Sequence, residues 1–421
     1  MVKKMREDAR LMIKDIIDGN LPQESVERAL REHEFGDGVY VIAIGKAAWT
    51  MAKAATDYLG GKIEKGVVIT KYAHSQGCIP KMEIFEAGHP TPDENTVKAT
   101  QSALALAESL KEDDKLLFLV SGGGSALFEA PLEGLRLEDL AALTNQLLAC
   151  GADIIEVNTI RKRLSRVKAG RFAEICRPAK VFSIVLSDVL GDRLDSIASG
   201  PAVPDETTAA DAQAIVDKYG IRLTELQKGY LAQETPKKVD NVETVITGSV
   251  RSLCEAAAKA AKSLGYTPYV LTTVLNCEAS EAGKFLSCIA VDTQNSTNSF
   301  EKPCAIIAGG ETVVRLKGSG KGGRNQELAL AAAKGIDALE NTLIFSLGSD
   351  GTDGPTDAAG GIVDYTTAAR LREQGLDIDK VLGNNDAYHA LKAADGLIIT
   401  GPTGTNVNDV SVVLCTNIKI T

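Results

Sequence analysis

A chain of 421 residues exceeds what one hydrophobic core usually holds, so two domains are expected. Its 44% hydrophobic and 24% charged content is ordinary globular composition and argues against a disordered or fibrous chain. A net charge of −10 argues against a nucleic-acid-binding surface, and no apolar stretch approaches the roughly 18 residues of a membrane span.

The opening Met1-Val-Lys-Lys-Met-Arg-Glu-Asp leads into a polar amphipathic segment, not a signal-peptide core, so a soluble cytoplasmic protein is expected. Eight cysteines are scattered singly, with no Cys-x-x-Cys pair and only four histidines to join them. Reduced, buried thiols are expected, and a zinc site is not.

Helical apolar spacing covers Arg6 to Asp18 and Gln23 to His33, broken at Gly19-Asn-Leu-Pro22. Strand and helix patterns then alternate: strand 38–45, helix 46–59, strands 65–72 and 82–87, helix 92–110, strand 115–121. Helical patterns at 137–150 and 160–176 precede a strand at 180–187. Such alternation predicts βαβ units and a mostly parallel sheet with flanking helices, an α/β fold. Tyr219 to Asn241 breaks the rhythm, which places a domain boundary near 235 and gives domains 1–235 and 236–421. The second half alternates again: strand 243–247, helix 250–264, strand 268–273, helix 279–294, strand 304–309. A hairpin arm is expected at Thr312–Lys317, a helix from Asn325, a strand at 342–347, and helices near 365–374 and 384–393. The tail Val410–Thr421 reads as a closing strand that can return to the first domain.

Six apolar runs end in short polar or glycine-rich turns. Their tips carry Lys46, Ser121-Gly-Gly-Gly-Ser125, Ser187-Asp188, Gly248-Ser249, Gly309-Gly310-Glu311 and Ser349-Asp350. In an open parallel sheet, ligands bind outside the carboxyl ends of the strands, where such turns lie. Lys46 stands where a strand passes into a helix and would join the anion site of a helix N-terminus. Gly122, Gly123 and Gly124 suit a backbone nest for phosphate or carboxylate oxygens. Gly318-Ser-Gly-Lys-Gly-Gly-Arg324 is a glycine-rich loop expected to close over a ligand, and the Arg324 guanidinium suits bidentate contact with an anion. It is no P-loop: Arg315 stands where that pattern needs glycine, and Gly322 follows the lysine. No Gly-x-Gly-x-x-Gly turn of a dinucleotide site follows any strand. The acidic turns Asp188–Asp192 and Asp350–Asp353–Asp357 offer hard oxygen ligands for Mg²⁺. Cations, a glycine nest and carboxylates together point to phosphoryl transfer, which rests on positioning and charge neutralisation.

The strings IAIGKAA, AGHPTPDE (Ala87–Glu94), SGGGSALFEAP (Ser121–Pro131), LSDVLGD with IASGP (Leu186–Pro201), GGETVV (Gly309–Val314), GGRNQELAL (Gly322–Leu330), GSDGTDGPTDAAG (Gly348–Gly360) and GPTGTNVND (Gly401–Asp409) span nearly the whole chain. Together and in this order they resemble the glycerate kinase family of the MOFRL type. The resemblance implies two α/β domains: a larger, Rossmann-like first domain and a smaller second one with the MOFRL region at about 304–410. It implies an active site in the cleft between them and ATP- and Mg²⁺-dependent phosphorylation of D-glycerate to 2-phosphoglycerate. Lys46 and Arg324 fall on the family's functional lysine and arginine, with Asp188 as a third catalytic candidate. The two cations are expected to clamp the transferred phosphoryl group across the cleft. Substrate and nucleotide contacts are expected from Ser121, Gly122, Gly123, Gly124, Ser125, Asp192, Glu311 and Asn325, and from Gly404 and Asn406. Either Asp188 or Asp192, with either Asp350 or Asp353, is expected to hold Mg²⁺ and orient the hydroxyl. Val250 and Cys277 depart from the family pattern, so no asparagine contact is expected at 250. The alternative is NAD(P)H-dependent reduction of hydroxypyruvate. Partners are the small substrates alone, with neither nucleic acid nor membrane, and a homodimer is left open.

Overall fold

A computed structural model describes residues 2–295 and 300–417; residues 418–421 of the expected closing strand lie outside this range. The chain forms two compact units, Ser25–Thr247 and Gly248–Thr421 with Met1–Glu24. The change of unit therefore falls at 247/248, where the sequence rhythm suggests 235, and the first 24 residues join the second half. Their amphipathic helix Val2–Asp18 explains this. Tyr266 Oη donates to Asp8 at 2.9 Å, Arg6 pairs with buried Asp364 at 2.6 Å, and Ser252 Oγ donates to Asn20 at 2.8 Å.

In the Ser25–Thr247 unit, strands β1 (Val39–Ile44), β2 (Ile63–Lys71), β3 (Met82–Ala87), β4 (Lys115–Val120), β5 (Lys180–Leu186) and β6 (Val242–Gly248) form one sheet, ordered β3-β2-β1-β4-β5-β6. The pairs β1/β2, β1/β4, β2/β3 and β4/β5 are all parallel. The central strands are buried on both faces, which is why they read as unbroken apolar runs. One face packs Ile42, Ile44, Phe118 and Val120 against the helix Glu94–Glu108 and the rings of Phe128 and Phe172. The other packs Val41, Ala43, Leu117 and Leu119 against the helix Ala48–Leu59. Because all these pairs run the same way, their carboxyl ends share one edge, where Lys46, His89, Ser121 and Asp188 emerge.

The second unit's sheet is mixed. Strands β7 (Thr267–Leu275), β8 (Cys304–Gly310), β9 (Thr342–Gly348), β10 (Gly360–Asp364), β11 (Leu397–Ile398) and β12 (Asp409–Cys415) are ordered β11-β10-β9-β12-β8-β7. Only β7/β8 is parallel; β12 enters between β8 and β9 and runs antiparallel to both. Among the described residues the tail thus closes the sheet of its own unit. All seven residues of β12 are buried, so the insertion is driven by apolar area on both faces. The helix Arg324–Gly335 lies against this sheet with Asn325 to Ala333 all buried.

Thr312–Lys317 forms no hairpin arm; Val313 makes one isolated parallel bridge to Glu278 and the rest is irregular. Cys176, Cys254, Cys304 and Cys415 are buried, whereas Cys78, Cys150, Cys277 and Cys288 are exposed, against the expectation of burial.

Candidate active site

Two clusters hold the candidate residues, one in each unit. In the first, Lys46 leaves β1 in a turn that precedes the helix Ala48–Leu59. Its N–H donates to Gly122 O at 2.8 Å, and the next N–H, of Ala47, donates to Ser121 Oγ at 3.1 Å. The β1 and β4 turns are therefore stitched together. Gly45 permits the stitch: its φ is +110°, and a Cβ there would strike the Ser121 backbone. The Lys46 Nζ has no hydrogen-bond or ion-pair partner among the described residues. An ammonium held at a strand end without a carboxylate is poised for an anion that the protein does not supply.

Gly123, with φ at +83°, carries the β4 turn past Lys46; a Cβ on it would lie 3.2 Å from Lys46 Cγ and 3.0 Å from His89 Nε2. One on Gly122 would collide with the Asp188 carboxylate. Lys46, His89, the triglycine and Asp188 thus converge. Ser121 is buried and spent on the β1 turn, where its Oγ also donates to Ile44 O at 3.2 Å. Ser125 shares a hydrogen with Ser199 at 3.0 Å, which ties the glycine turn to the 198–200 turn. Asp192 is half-buried in the turn after Asp188, with a φ of +54° and its N–H donating to Val189 O at 3.1 Å. The sequence reading did not single out His89, although the AGHPTPDE string contains it.

In the second unit, Arg324 opens the helix Arg324–Gly335 and its fork is already engaged. Nε and Nη2 meet Asp409 Oδ2 and Oδ1 at 2.5 and 3.1 Å, and Nη1 meets Glu311 Oε1 at 2.9 Å. Burial works against the guanidinium charge, but Asp409 and Glu311 outweigh it and raise the pKa further. Burial likewise lifts the Asp409 carboxyl above its ordinary value, with Arg324 pulling the other way. Asp409, the first residue of β12, was not among the expected site residues; an acid ending the GPTGTNVND string was the available signal.

The acidic turns divide by role. Asp353 is 3% exposed, and its two oxygens accept from Asn325 N at 3.1 Å and Gln326 N at 2.8 Å. It caps the helix that carries Arg324, supplying from a distant turn what Gly323 at the N-cap cannot. Burial pushes its carboxyl up to about 6 against the pull of these N–H groups. Asn325 is buried and accepts from Ser346 Oγ at 2.6 Å, so it braces the helix against β9. Asp350 is half-buried and accepts from Thr352 N at 2.9 Å through Oδ1. The Gly401–Asp409 loop lies beside it: Thr403 N donates to Asp350 O at 3.2 Å and Val407 N to Ser349 Oγ at 2.8 Å. Within that loop Gly404 is exposed and Asn406 half-buried.

The glycine-rich loop is held, not poised to close. Lys317 and Gly318 N–H donate to Asn385 Oδ1 at 2.7 and 3.0 Å, Ser319 N to Asn384 Oδ1 at 3.1 Å, and Lys321 N to Asp386 Oδ1 at 2.9 Å. Its glycines serve the close approach to Asn384–Asp386, a partner 65–68 residues away in sequence. The expectation of a closing flap gives way to a rigid support behind Arg324.

A parallel sheet whose strand-end turns gather an unpaired lysine, a glycine nest and a carboxylate defines an α/β enzyme that handles anionic substrates. Two family models match the chain, a domain of unknown function (DUF4147) over residues 8–231 and the MOFRL family over residues 304–409. The D-glycerate 2-kinase of Thermotoga maritima is 54% identical over 94% of this chain and 95% of its own length. A crystal structure of the glycerate kinase from that organism superposes with a TM-score of 0.96, 52% identity, and coverage of 98% of this chain and 100% of the other. The glycerate 2-kinase of Pyrococcus horikoshii is 44% identical over 92% of this chain and 89% of its own length. A putative hydroxypyruvate reductase of Agrobacterium vitis is 39% identical over 96% of this chain and 94% of its own. The chain belongs to the glycerate kinase family of the MOFRL type.

Proposed function

We propose that this protein is a glycerate 2-kinase that transfers the γ-phosphoryl group of ATP to the 2-hydroxyl of D-glycerate. The observation that carries this is the 54% identity to a D-glycerate 2-kinase across nearly the full length of both chains. The unpaired Lys46 beside a glycine nest is the chemistry that such a reaction requires. Lys46 places a point charge where the transferred group bears its negative oxygens, and the N–H groups of the triglycine turn add to that field. Arg324 presents a guanidinium already aligned by Asp409 and Glu311, so little ordering remains when an anion arrives.

Among the described residues no group of three or more His, Cys, Asp or Glu could hold a metal by itself. That donor set fits Mg²⁺ delivered with ATP, which takes one or two carboxylates and completes its shell with phosphate oxygens and water. Asp188, against the triglycine, is the candidate ligand of the first unit and Asp350 that of the second; Asp353 has both oxygens committed to the helix it caps. When bound, the ion neutralises charge on the β- and γ-phosphate oxygens. The putative reductase names among the relatives are not favoured, because no strand end carries the glycine fingerprint of a dinucleotide site.

A coupled assay tests the reading: ADP release should require both D-glycerate and Mg²⁺, and the product should be 2-phosphoglycerate. NADH oxidation by hydroxypyruvate with no ADP formed would establish the reductase instead, and 3-phosphoglycerate as product would overturn the regiochemistry.

A further inference from the structure

We propose that His89 is a catalytic residue, its imidazole Nε2 taking the proton from the glycerate hydroxyl as phosphoryl transfer proceeds. The inference rests on the preceding reading, that the acceptor hydroxyl is brought to the Lys46 turn. His89 stands two residues beyond β3, at the sheet edge where Lys71 ends β2 and Lys46 follows β1. A Cβ on Gly123 would lie 2.9 Å from its Cδ2 and 3.0 Å from its Nε2, so the ring covers the triglycine turn. It is half-buried and makes no hydrogen bond among the described residues. An imidazole with no protein partner, covering a glycine turn beside the Lys46 ammonium, is open to a ligand at that turn.

The groups that act on the ring are Lys46 in the β1 turn, Lys71 at the end of β2 and His74 in the turn that follows. The carboxylate of the cluster, Asp188, lies against Gly122, the residue before the Gly123 that the ring covers. Burial first, and then Lys46, Lys71 and His74, hold the imidazole below its ordinary pKa and therefore neutral near pH 7. A neutral imidazole with Nδ1 protonated leaves Nε2 as an acceptor. As the phosphoryl group transfers, the hydroxyl O–H bond breaks and its proton moves to Nε2. The oxygen forms a bond to the γ-phosphorus, and the bond from that phosphorus to the bridging oxygen breaks, its electron pair leaving on ADP. The imidazolium then returns the proton to solvent, which the three neighbouring cationic or titratable groups favour.

The test uses His89→Gln and His89→Gly in the full-length protein, with kcat and KM for glycerate measured from pH 5 to 9. Glutamine cannot take a proton, so kcat should fall about 100-fold, with KM for glycerate within a few-fold of wild type and the acid limb of the kcat profile lost. His89→Gly should recover activity with added imidazole, in proportion to its neutral form. The proposal is overturned by a kcat within threefold of wild type in both variants. It is equally overturned by an activity loss that leaves the acid limb in place and is not rescued by imidazole. Were the wild-type protein itself to show no ATP-dependent turnover of glycerate, the preceding reading would fail, and that control separates the two failures.

Discussion

Arg324 and Asp409 form a two-point lock, with Nε and Nη2 of the guanidinium on the two oxygens of one carboxylate at 2.5 and 3.1 Å across 85 residues of sequence. The acid begins β12 and the base begins a buried helix, so the lock fixes the guanidinium plane relative to the sheet. Arg324→Lys keeps the charge and loses the fork, and should lower kcat by at least tenfold. Arg324→Ala should lower it by about 10²–10³, the loss of one preorganised charge-stabilising group. Asp409→Asn should fall between these two while leaving the arginine charge intact. Steady-state kinetics on the three variants, with thermal melts to confirm folding, check the order; equal activity in Arg324→Lys and wild type would contradict it.

Lys46 makes the opposite prediction for stability. Its ammonium has no partner among the described residues, so Lys46→Ala should leave Tm within a few degrees. Activity should suffer far more, with kcat down about 10²–10³, on the order of 3–4 kcal/mol in barrier. A loss within a few-fold would mark Lys46 as an ordinary surface cation.

Removing a metal-holding carboxylate should appear in the Mg²⁺ titration before it appears in the fold. Asp188→Asn and Asp350→Asn should each raise the Mg²⁺ concentration needed for half-maximal activity and lower kcat, whereas Asp353→Asn should act chiefly on stability. If both Asp188→Asn and Asp350→Asn kept wild-type activity and Mg²⁺ dependence, neither residue would hold the ion.

Asp353 also sets a pH dependence. Its folded pKa is raised to about 6, so in the folded state it binds a proton that the unfolded chain, titrating near its ordinary value, does not. The sign follows: between the unfolded and folded values, stability contributed by this group rises as pH falls. From pH 7.5 to 5 the wild type should gain about 1.4 kcal/mol relative to Asp353→Asn. Paired urea melts at the two pH values measure this difference, and a gap that stays constant would show that the carboxyl titrates normally.

Lys46 and Arg324 stand out as candidates in the sequence because each sits in a local signal, a strand-to-helix turn and a glycine run opening a helix. The strands of the first sheet were legible for a similar reason: burial on both faces leaves a continuous apolar run. His89 and Asp409 do not stand out as candidates in the sequence, since what singles them out is what faces them in the fold. The partner of Asp409 lies 85 residues away, and the ring of His89, after β3, meets the turn that follows β4, three strands along the sheet.

Read alone, the amino-acid sequence determines the class of molecule: alternating strands and helices, reactive turns at strand ends, a net acidic and globular chain, and motif strings in the order of one family. These are properties of neighbours in the chain, written in periodicity and turn chemistry. Only the tertiary structure decides that residues 1–24 pack with the second half, that β12 enters between β8 and β9, and that the glycine-rich loop is clamped by Asn384–Asp386. It also divides the aspartates, giving Asp353 to a helix end and leaving Asp188 against the triglycine turn. A carboxylate's role depends on the donors, the burial and the charge around it, and here those arrive from segments tens to hundreds of residues away.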